Sequence, residues 1–378
     1  MKVYLKTSVL EESLARIERL YREFETVVVG VSGGKDSSVV LSLALVVARR
    51  LNRLPVHAMF LDQEAERQST IDMIRTTRDM DGVSLRWLQV PFDLMNGTSA
   101  TEPYLHCWDE SRESDWMRKK ETAVGSVHDN HYGATRFHEM FRAIIKADYG
   151  DNAVYLAGVR AEESPARLMG LTRNATYQDI TWGKKLDEST RNYTFYPIYD
   201  WSLSDVWTHI NRNAIPYNAY YDIAHRLGVP RVKMRVSALV HETAVVNLFN
   251  LQEIEVGTYS RLTQRIGGID AAAKLGVDDY VPTSLPSAFG DWREYRDYLV
   301  EHLPTSDELR VRYRAMFATA DKRYLGTDVE ARMLRVCIKV VVTNDWCGTA
   351  FESFQTTKPS QDAKRQKARE AAVEEVEP

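Results

Sequence analysis

The chain has 378 residues, 44% hydrophobic and 27% charged, a globular composition that excludes disorder throughout and suits one large domain or two modest ones. Its 49 basic and 53 acidic residues give a net charge of −4, which excludes a global basic excess aimed at nucleic acid or an anionic membrane surface but not a local basic patch. Three cysteines, Cys107, Cys337 and Cys347, are too few and scattered for a disulfide framework, a four-cysteine zinc site or a four-thiolate iron–sulfur cluster, so a reducing, cytoplasmic setting is expected.

The first twenty residues are amphipathic and charged where a secretory signal needs an unbroken apolar stretch, so export by that route is not expected. The most apolar run, Val39 to Val47, is about half the roughly 20 residues of a membrane span, so neither a transmembrane helix nor a membrane partner is expected. Leu14, Ile17, Leu20 and Tyr21 repeat at helical spacing and predict a helix over Leu10 to Glu25. Thr26 to Val31 is a β-branched run with little polar alternation, which predicts a strand covered on both faces, broken by Ser32-Gly33-Gly34. Helices over Lys35 to Asn52 and Glu64 to Met80 then alternate with strands over Pro55 to Leu61 and Ser84 to Val90. Such alternation means βαβ units, a parallel sheet and helices on both of its faces.

Periodicity fades between Pro91 and Thr135, where an insertion or lid is expected, and resumes in a helix over Arg136 to Asp148. Ala153 to Gly158 predicts a buried strand, Arg160 to Thr190 a loop, and Phe195 to Tyr199 a short strand. A helix over Ser202 to Arg212 opens on Ser202 and Asp205 at capping-box spacing. Beyond Pro216 the chain reads as helices, among them His241 to Leu251, Glu308 to Ala318 and Ala331 to Val342. Lys358 to Pro378, basic first and acidic last, cannot bury enough surface to fix itself and is expected to form a flexible tail.

The sharpest feature is Ser32-Gly33-Gly34-Lys35-Asp36-Ser37-Ser38, between a buried strand and a helix. Two glycines allow a tight turn and close approach to a ligand, and the helix turns its positive end to an anion. A Walker A loop would need glycine at Val29 and Ser or Thr at Asp36, and the dinucleotide-binding glycine pattern also fails. A plain Gly-Gly turn followed by a Ser/Asp helix cap would use the same letters. The series resembles the PP-loop of the ATP pyrophosphatases, which break ATP between the α and β phosphates. That resemblance implies the adenine nucleotide alpha hydrolase-like fold. It implies phosphate contacts from Ser32, Gly33, Gly34, Ser37 and Ser38, charge neutralisation by Lys35, and placement of Mg²⁺ by Asp36.

Ligands of such sheets lie beyond the carboxyl ends of the strands, so Asp62 and Glu64, closing the second strand, are expected to meet the adenosine or a metal. A helix N-cap with an acidic first turn would use the same two residues. After the fourth strand, Gly158-Val159-Arg160-Ala161-Glu162-Glu163-Ser164-Pro165-Ala166-Arg167 offers close approach at Gly158, planar forks for phosphate or sulfate at Arg160 and Arg167, and Glu163 to orient an arginine. This Gly-x-Arg-x-x-Glu-Ser-x-x-Arg series resembles the second motif of the phosphoadenosine phosphosulfate (PAPS) reductase family, which adds Ser164 to the implied nucleotide site. A third segment, from Tyr196-Pro197-Ile198-Tyr199-Asp200-Trp201 through Asp205-Val206-Trp207 to Ile215-Pro216-Tyr217-Asn218 and Tyr221-Asp222, is similar to one in that family and reads as a fold marker whose aromatics are mostly core.

PAPS reductases attack sulfur with a cysteine near the C-terminus in a Glu-Cys-Gly-x-His setting, whereas Cys347 follows Trp346 and no histidine comes after it. A buried or incidental thiol is expected. Over residues 1 to 357 the chain resembles the IbrA/YbdN-type branch, carried by Phe60-Leu61-Asp62-Gln63-Glu64-Ala65, Cys107-Trp108, Gly228-Val229-Pro230, Met234-Arg235 and Asn344-Asp345-Trp346-Cys347. That branch implies a ParB/sulfiredoxin-like protein partner and a regulatory role.

These readings combine into a nucleotide-binding α/β domain over 1–235 with an insertion or lid near 97–135, a mainly helical region over 236–357, and the tail over 358–378. The expected activity is binding of ATP or a related adenine nucleotide with Mg²⁺ and cleavage at the α phosphorus. An anionic acceptor would be placed by Arg160 and Arg167, in sulfur or nucleic-acid-modification metabolism. A nucleotide-sensing regulator uses the same cradle, and a thiol-dependent PAPS reductase is a lesser alternative. Arg231, Lys233 and Arg235 would extend the anion site, contact a nucleic-acid backbone or line a solvated edge. His106, His128, His131 and His138 match no common zinc spacing and are expected at the surface or in the lid.

Overall fold

The computed structural model describes residues 6–98, 102–172, 175–231, 234–236, 239–240, 245–267, 269, 282, 284–304, 307–342, 345, 348, 350–351 and 354. One compact unit takes Met1–Met95 and Tyr104–Ala273, a second takes Asn96–Pro103 and Lys274–Pro378.

The β-branched run forms the central strand β1 (Thr26–Gly30), whose Val27, Val28 and Val29 are all buried. On one side β1 pairs in parallel with β2 (Val56–Leu61), and β2 with β3 (Val83–Leu88). The next two strands, β4 (Phe92–Met95) and β5 (Tyr104–Cys107), form a separate antiparallel pair, and β6 (Ser126–Val127) returns to β3. On its other side β1 pairs in parallel with β7 (Ala153–Leu156), giving the seven-stranded order β6-β3-β2-β1-β7-β9-β8, with β8 (Gly183–Lys185) antiparallel to β9 (Tyr193–Phe195) at the edge. The sheet therefore winds away from β1 in both directions, and the crevice at that reversal opens between the carboxyl ends of β1 and β7.

Helix α1 (Val9–Glu23) is held by a Ser8–Glu11 capping box and buries Ile17, Leu20 and Tyr21. Ten of the sixteen residues of α2 (Lys35–Arg50) are buried, because it crosses between β1 and β2 with apolar groups over most of its circumference. Helices α3 (Gln68–Arg78) and α4 (Phe137–Tyr149) complete the crossovers before β7, and α5 (Pro165–Thr172) follows it. The Ser202–Asp205 capping box forms as its spacing predicts and starts α6 (Leu203–Arg212). Trp201 is buried in the core, its Nε1 donating to Ser13 Oγ at 2.8 Å. Helices α7 (Tyr220–Arg226), α8 (Val245–Ile254) and α9 (Val256–Arg265) close this unit.

The first compact unit runs past the expected boundary at 235, since α9 and its N-cap residue Glu255 supply polar groups to it. Glu255 accepts the Gln68 N–H at 2.8 Å, and Arg265 pairs with Glu64. The expected lid is instead partly a structural element: β6 extends the main sheet, and Trp108 is fully buried. The strand expected over Phe195 to Tyr199 lies earlier, at Tyr193–Phe195, and the loop expected over 160–190 contains α5 and β8. Within the second unit, α10 (Trp292–His302), α11 (Asp307–Tyr324) and α12 (Glu330–Val342) bury Leu299, Tyr313, Phe317, Met333 and Ile338. The expected tail lies outside the described residues. No helix among them is long and apolar enough to cross a membrane.

Candidate functional site

Strand β1 ends at Gly30, and the chain turns through Ser32, Gly33 and Gly34 into the positive end of α2. Gly33 sits at φ +66°, where a Cβ would stand 2.9 Å from Thr70 Cγ2, so both backbone conformation and space demand glycine. The turn is braced from several directions. Ser37 Oγ accepts the Ser32 N–H at 3.2 Å and donates to the Gly34 carbonyl at 2.9 Å. Asn218 Nδ2 donates to the Gly33 carbonyl at 3.2 Å, and the Lys35 N–H donates to the Tyr221 hydroxyl at 3.3 Å. Ser38 Oγ is turned back onto the Gly34 carbonyl at 3.1 Å, inside the helix.

The segment after β7 reaches the same place. Gly158 packs against the loop backbone so closely that a Cβ there would lie 2.6 Å from the Asp36 carbonyl carbon and 2.7 Å from the Ser37 nitrogen. Asp36 ties the two segments together, one carboxylate oxygen accepting from Lys35 Nζ at 2.7 Å and the other from Arg160 Nε at 2.7 Å. Arg160, 5% exposed, continues to Glu162 at 3.1 Å, and Glu163 pairs with Arg167. Ser164 caps α5 by accepting the Arg167 N–H at 3.2 Å.

These groups surround a cavity of about 610 Å³, within the range of small-molecule sites. Ser32, Gly34, Lys35, Asp36 and Ser37 form one wall, and Gly158, Arg160, Glu163 and Arg167 another. Arg231 and Arg235 complete the rim, while Lys233 lies outside the described residues. Five basic side chains thus meet three acidic ones, Asp36, Glu162 and Glu163, among the described residues of the lining. Burial first, and then the neighbouring Arg235 and Arg160 charges, pull the Arg167 pKa below its ordinary value.

Asp62 and Glu64 do not join this cavity. Both are fully buried. Asp62 accepts from Trp87 Nε1 at 2.8 Å, from Gln89 Nε2 at 3.1 Å and from Arg118, while Glu64 accepts the Trp108 N–H at 2.7 Å and Arg265 Nε at 2.6 Å. The helix-cap alternative fails for both as well, since α3 begins at Gln68 and its first N–H groups are met by Glu255. Sequence spacing puts both carboxylates at a strand end. Trp108, Arg118 and Arg265, remote in sequence, close that end off.

Sequence reading missed Tyr155, whose ring lies where a Cβ on Gly30 would stand, 2.0 Å from the Tyr155 hydroxyl, and it took Tyr221 only as a fold marker. Both line the cavity. Tyr155 had no signal beyond its place in a buried strand, whereas Tyr221 belonged to a segment whose order along the chain was already suggestive.

The remaining candidate groups do not assemble into a metal centre. His106 Nδ1 meets Asp93 at 2.6 Å, His128 Nε2 meets the Glu121 carbonyl at 2.7 Å, and His131 packs on Tyr132. No group of three or more His, Cys, Asp or Glu side chains that could hold a metal occurs among the described residues. Cys107 and Cys337 are buried and burial pushes their thiols up, Cys337 to about 12, so neither has the character of a thiolate nucleophile. Cys347 lies outside the described residues.

A parallel sheet, a glycine loop at its winding reversal and a second motif on the opposite lip define a PP-loop protein. Residues 26–271 match the phosphoadenosine phosphosulfate reductase domain, and the chain belongs to that family. It is 25% identical to the uncharacterized protein YbdN of Escherichia coli K12, over 94% of this chain and 93% of that one. Among solved structures it is similar to the PAPS reductase of Candida auris in a phosphate complex, 14% identical over 59% of this chain and 95% of that one with a TM-score of 0.32. It is also similar to yeast FAD synthetase in complex with FAD, 14% identical over 69% of this chain and 86% of that one with a TM-score of 0.37.

Proposed function

We propose that the protein binds ATP or a related adenine nucleotide with its phosphates in the 610 Å³ cavity and cleaves it at the α phosphorus, transferring the nucleotidyl group to an anionic acceptor and releasing pyrophosphate. The observation that carries this reading is the pairing of the braced glycine loop with an excess of arginine across the same cavity. The loop and Lys35 take the departing pyrophosphate at the positive end of α2, while Arg231 and Arg235, beside the Arg167–Glu163 pair, hold a second anion. An acceptor such as sulfate or a carboxylate is already charged and requires no general base, so the work of the site is to align it opposite the leaving group.

Both oxygens of Asp36 are engaged, one by Lys35 and one by Arg160, so Asp36 would hold Mg²⁺ together with the nucleotide's phosphates once Lys35 turns from it to those phosphates. The ion, when bound, supplies charge neutralisation on the leaving pyrophosphate. Lys35 neutralises the same charge from the protein side, and Arg160 keeps Asp36 oriented.

Pyrophosphate release from Mg-ATP, measured with and without sulfate, tests the reading. Release by the wild type that falls about a hundredfold or more in Lys35→Ala supports it. Equal release by both proteins, or none by either, overturns turnover. Nucleotide binding without release would leave the nucleotide-sensing role, exerted through a protein partner.

A further inference from the structure

We infer that Asn218 is a positioning residue for the bound phosphates: it fixes the peptide between Gly33 and Gly34 so that the Gly34 N–H, and not the Gly33 carbonyl, is turned into the cavity. The assignment rests on the phosphate reading of the loop given above and adds to it the group that aims the loop.

The Gly33–Gly34 peptide is the least constrained link of the turn. Gly33 stands at φ +66°, and neither residue has a side chain to resist rotation of the peptide plane between them. In a trans peptide the carbonyl and the following N–H point in opposite directions, so whatever anchors one aims the other. Asn218 Nδ2 anchors the carbonyl, donating to Gly33 O at 3.2 Å. Gly34 lines the cavity and Gly33 does not, and no protein group accepts the Gly34 N–H among the described residues. Two other amides of the turn are already engaged, that of Ser32 by Ser37 Oγ at 3.2 Å and that of Lys35 by the Tyr221 hydroxyl at 3.3 Å. A rotated Gly33–Gly34 peptide would instead face an anion with a carbonyl oxygen, and attraction would become repulsion.

The asparagine is itself held in one orientation. It is 1% exposed, in the turn between α6 and α7, and does not line the cavity, so it acts through the loop. Its Oδ1 accepts the Tyr220 N–H at 2.9 Å, which leaves Nδ2 to face the loop, where it also donates to Thr70 Oγ1 at 3.3 Å. The Thr70 hydroxyl passes its own proton to the Val236 carbonyl at 3.3 Å. A backbone N–H at one end of the amide and two acceptors at the other define which end is the donor, and a flipped amide would set Oδ1 against the Gly33 carbonyl.

Binding of inorganic pyrophosphate to the full chain, measured by calorimetry at about pH 5 and about pH 8.5, tests the assignment. Asn218→Leu removes the donor at either pH. Asn218→Asp keeps an oxygen for the Tyr220 N–H but sets a carboxylate against the Gly33 carbonyl, and only the neutral acid, which burial favours, restores a donor there. Each affinity is compared with wild type at the same pH, which cancels titration of the ligand and of Lys35, Asp36, Glu66, Arg67, Tyr220 and Tyr221 on the elements that Asn218 joins. Asn218→Leu is expected to weaken pyrophosphate by about tenfold at both pH values, the loss of one hydrogen bond to a charged group. Asn218→Asp is expected to match that loss at the higher pH and to recover most of it at the lower. Wild-type affinity in Asn218→Leu overturns the assignment. So does an Asn218→Asp variant that binds as wild type at the higher pH, or that is weakened by the same factor at both, the result of a turn that is merely loosened. If Asn218→Leu does not fold, Asn218→Asp decides alone. A wild type that does not bind pyrophosphate, or binds it no better than Lys35→Ala does, sinks the phosphate reading of the cavity instead.

Discussion

Two strand ends in this sheet carry nearly the same kinds of residue and have opposite fates. Beyond β1, Lys35 and Asp36 face an open cavity across from Arg160 and Arg167. Beyond β2, Asp62, Glu64, Glu66 and Arg67 are buried beneath other parts of the chain, with the Arg67 guanidinium 4.2 Å above the Tyr220 ring. The difference lies in winding. Strand β1 stands where the order reverses, so nothing crosses its carboxyl end on the β7 side, whereas β2 lies inside a run of neighbouring strands. Its end is free to be covered, and Trp108, Arg118 and Arg265 cover it. Charge at a strand end is therefore a sign of function only where topology keeps that end open.

The contrast breaks most severely at the closed end. Replacing Arg265 with leucine leaves Glu64 charged and buried without its main partner, and should cost about 3–5 kcal/mol of stability by denaturant titration. A loss below about 1 kcal/mol would mean that the pair is not buried in solution. At the open end the effect moves from stability to activity. Lys35→Ala should leave the unfolding midpoint close to wild type while pyrophosphate release drops about a hundredfold, equivalent to nearly 3 kcal/mol at the transition state.

A third comparison uses pH. Burial and the Asp62 charge raise the Glu66 carboxyl from its ordinary value of 4.5 to about 8. The folded state thus favours the neutral acid: the stability this contributes is fully present below about pH 4.5 and is lost as pH rises through 8. Glu66→Gln should flatten that decline and gain roughly 2–4 kcal/mol at pH 8.5. A mutant whose stability tracks the wild type at every pH would show that the group titrates normally. The smallest effect belongs to Arg167, which is partly exposed and lines the cavity together with Arg231 and Arg235. Arg167→Gln should raise the KM for an anionic acceptor by about tenfold with kcat little changed, one charge-assisted hydrogen bond's worth. A fall in kcat with KM fixed would move Arg167 from placing the acceptor to acting on the reacting phosphorus.

Much of this architecture is legible without coordinates. The β-branched run at Thr26, the glycine loop after it, the Ser202–Asp205 cap and the alternation of strands and helices all rest on local chemistry: backbone sterics, side-chain periodicity and capping hydrogen bonds. The match between the Ser32 and Gly158 segments was legible too, because each carries its own close-approach glycine and its own cations. What local chemistry cannot supply is which elements lie side by side. Strands β1 and β7 are neighbours although more than a hundred residues separate them, and this places Arg160 on Asp36. A separate long-range contact, of α9 with the segment after β2, brings Arg265 onto Glu64 and so removes from the cavity a carboxylate that its position at a strand end recommends. Local chemistry along the chain is enough to set a glycine turn between β1 and α2. The winding of the sheet, and the desolvation that follows from it, settle which charges stand beside that turn and which are sealed in the core.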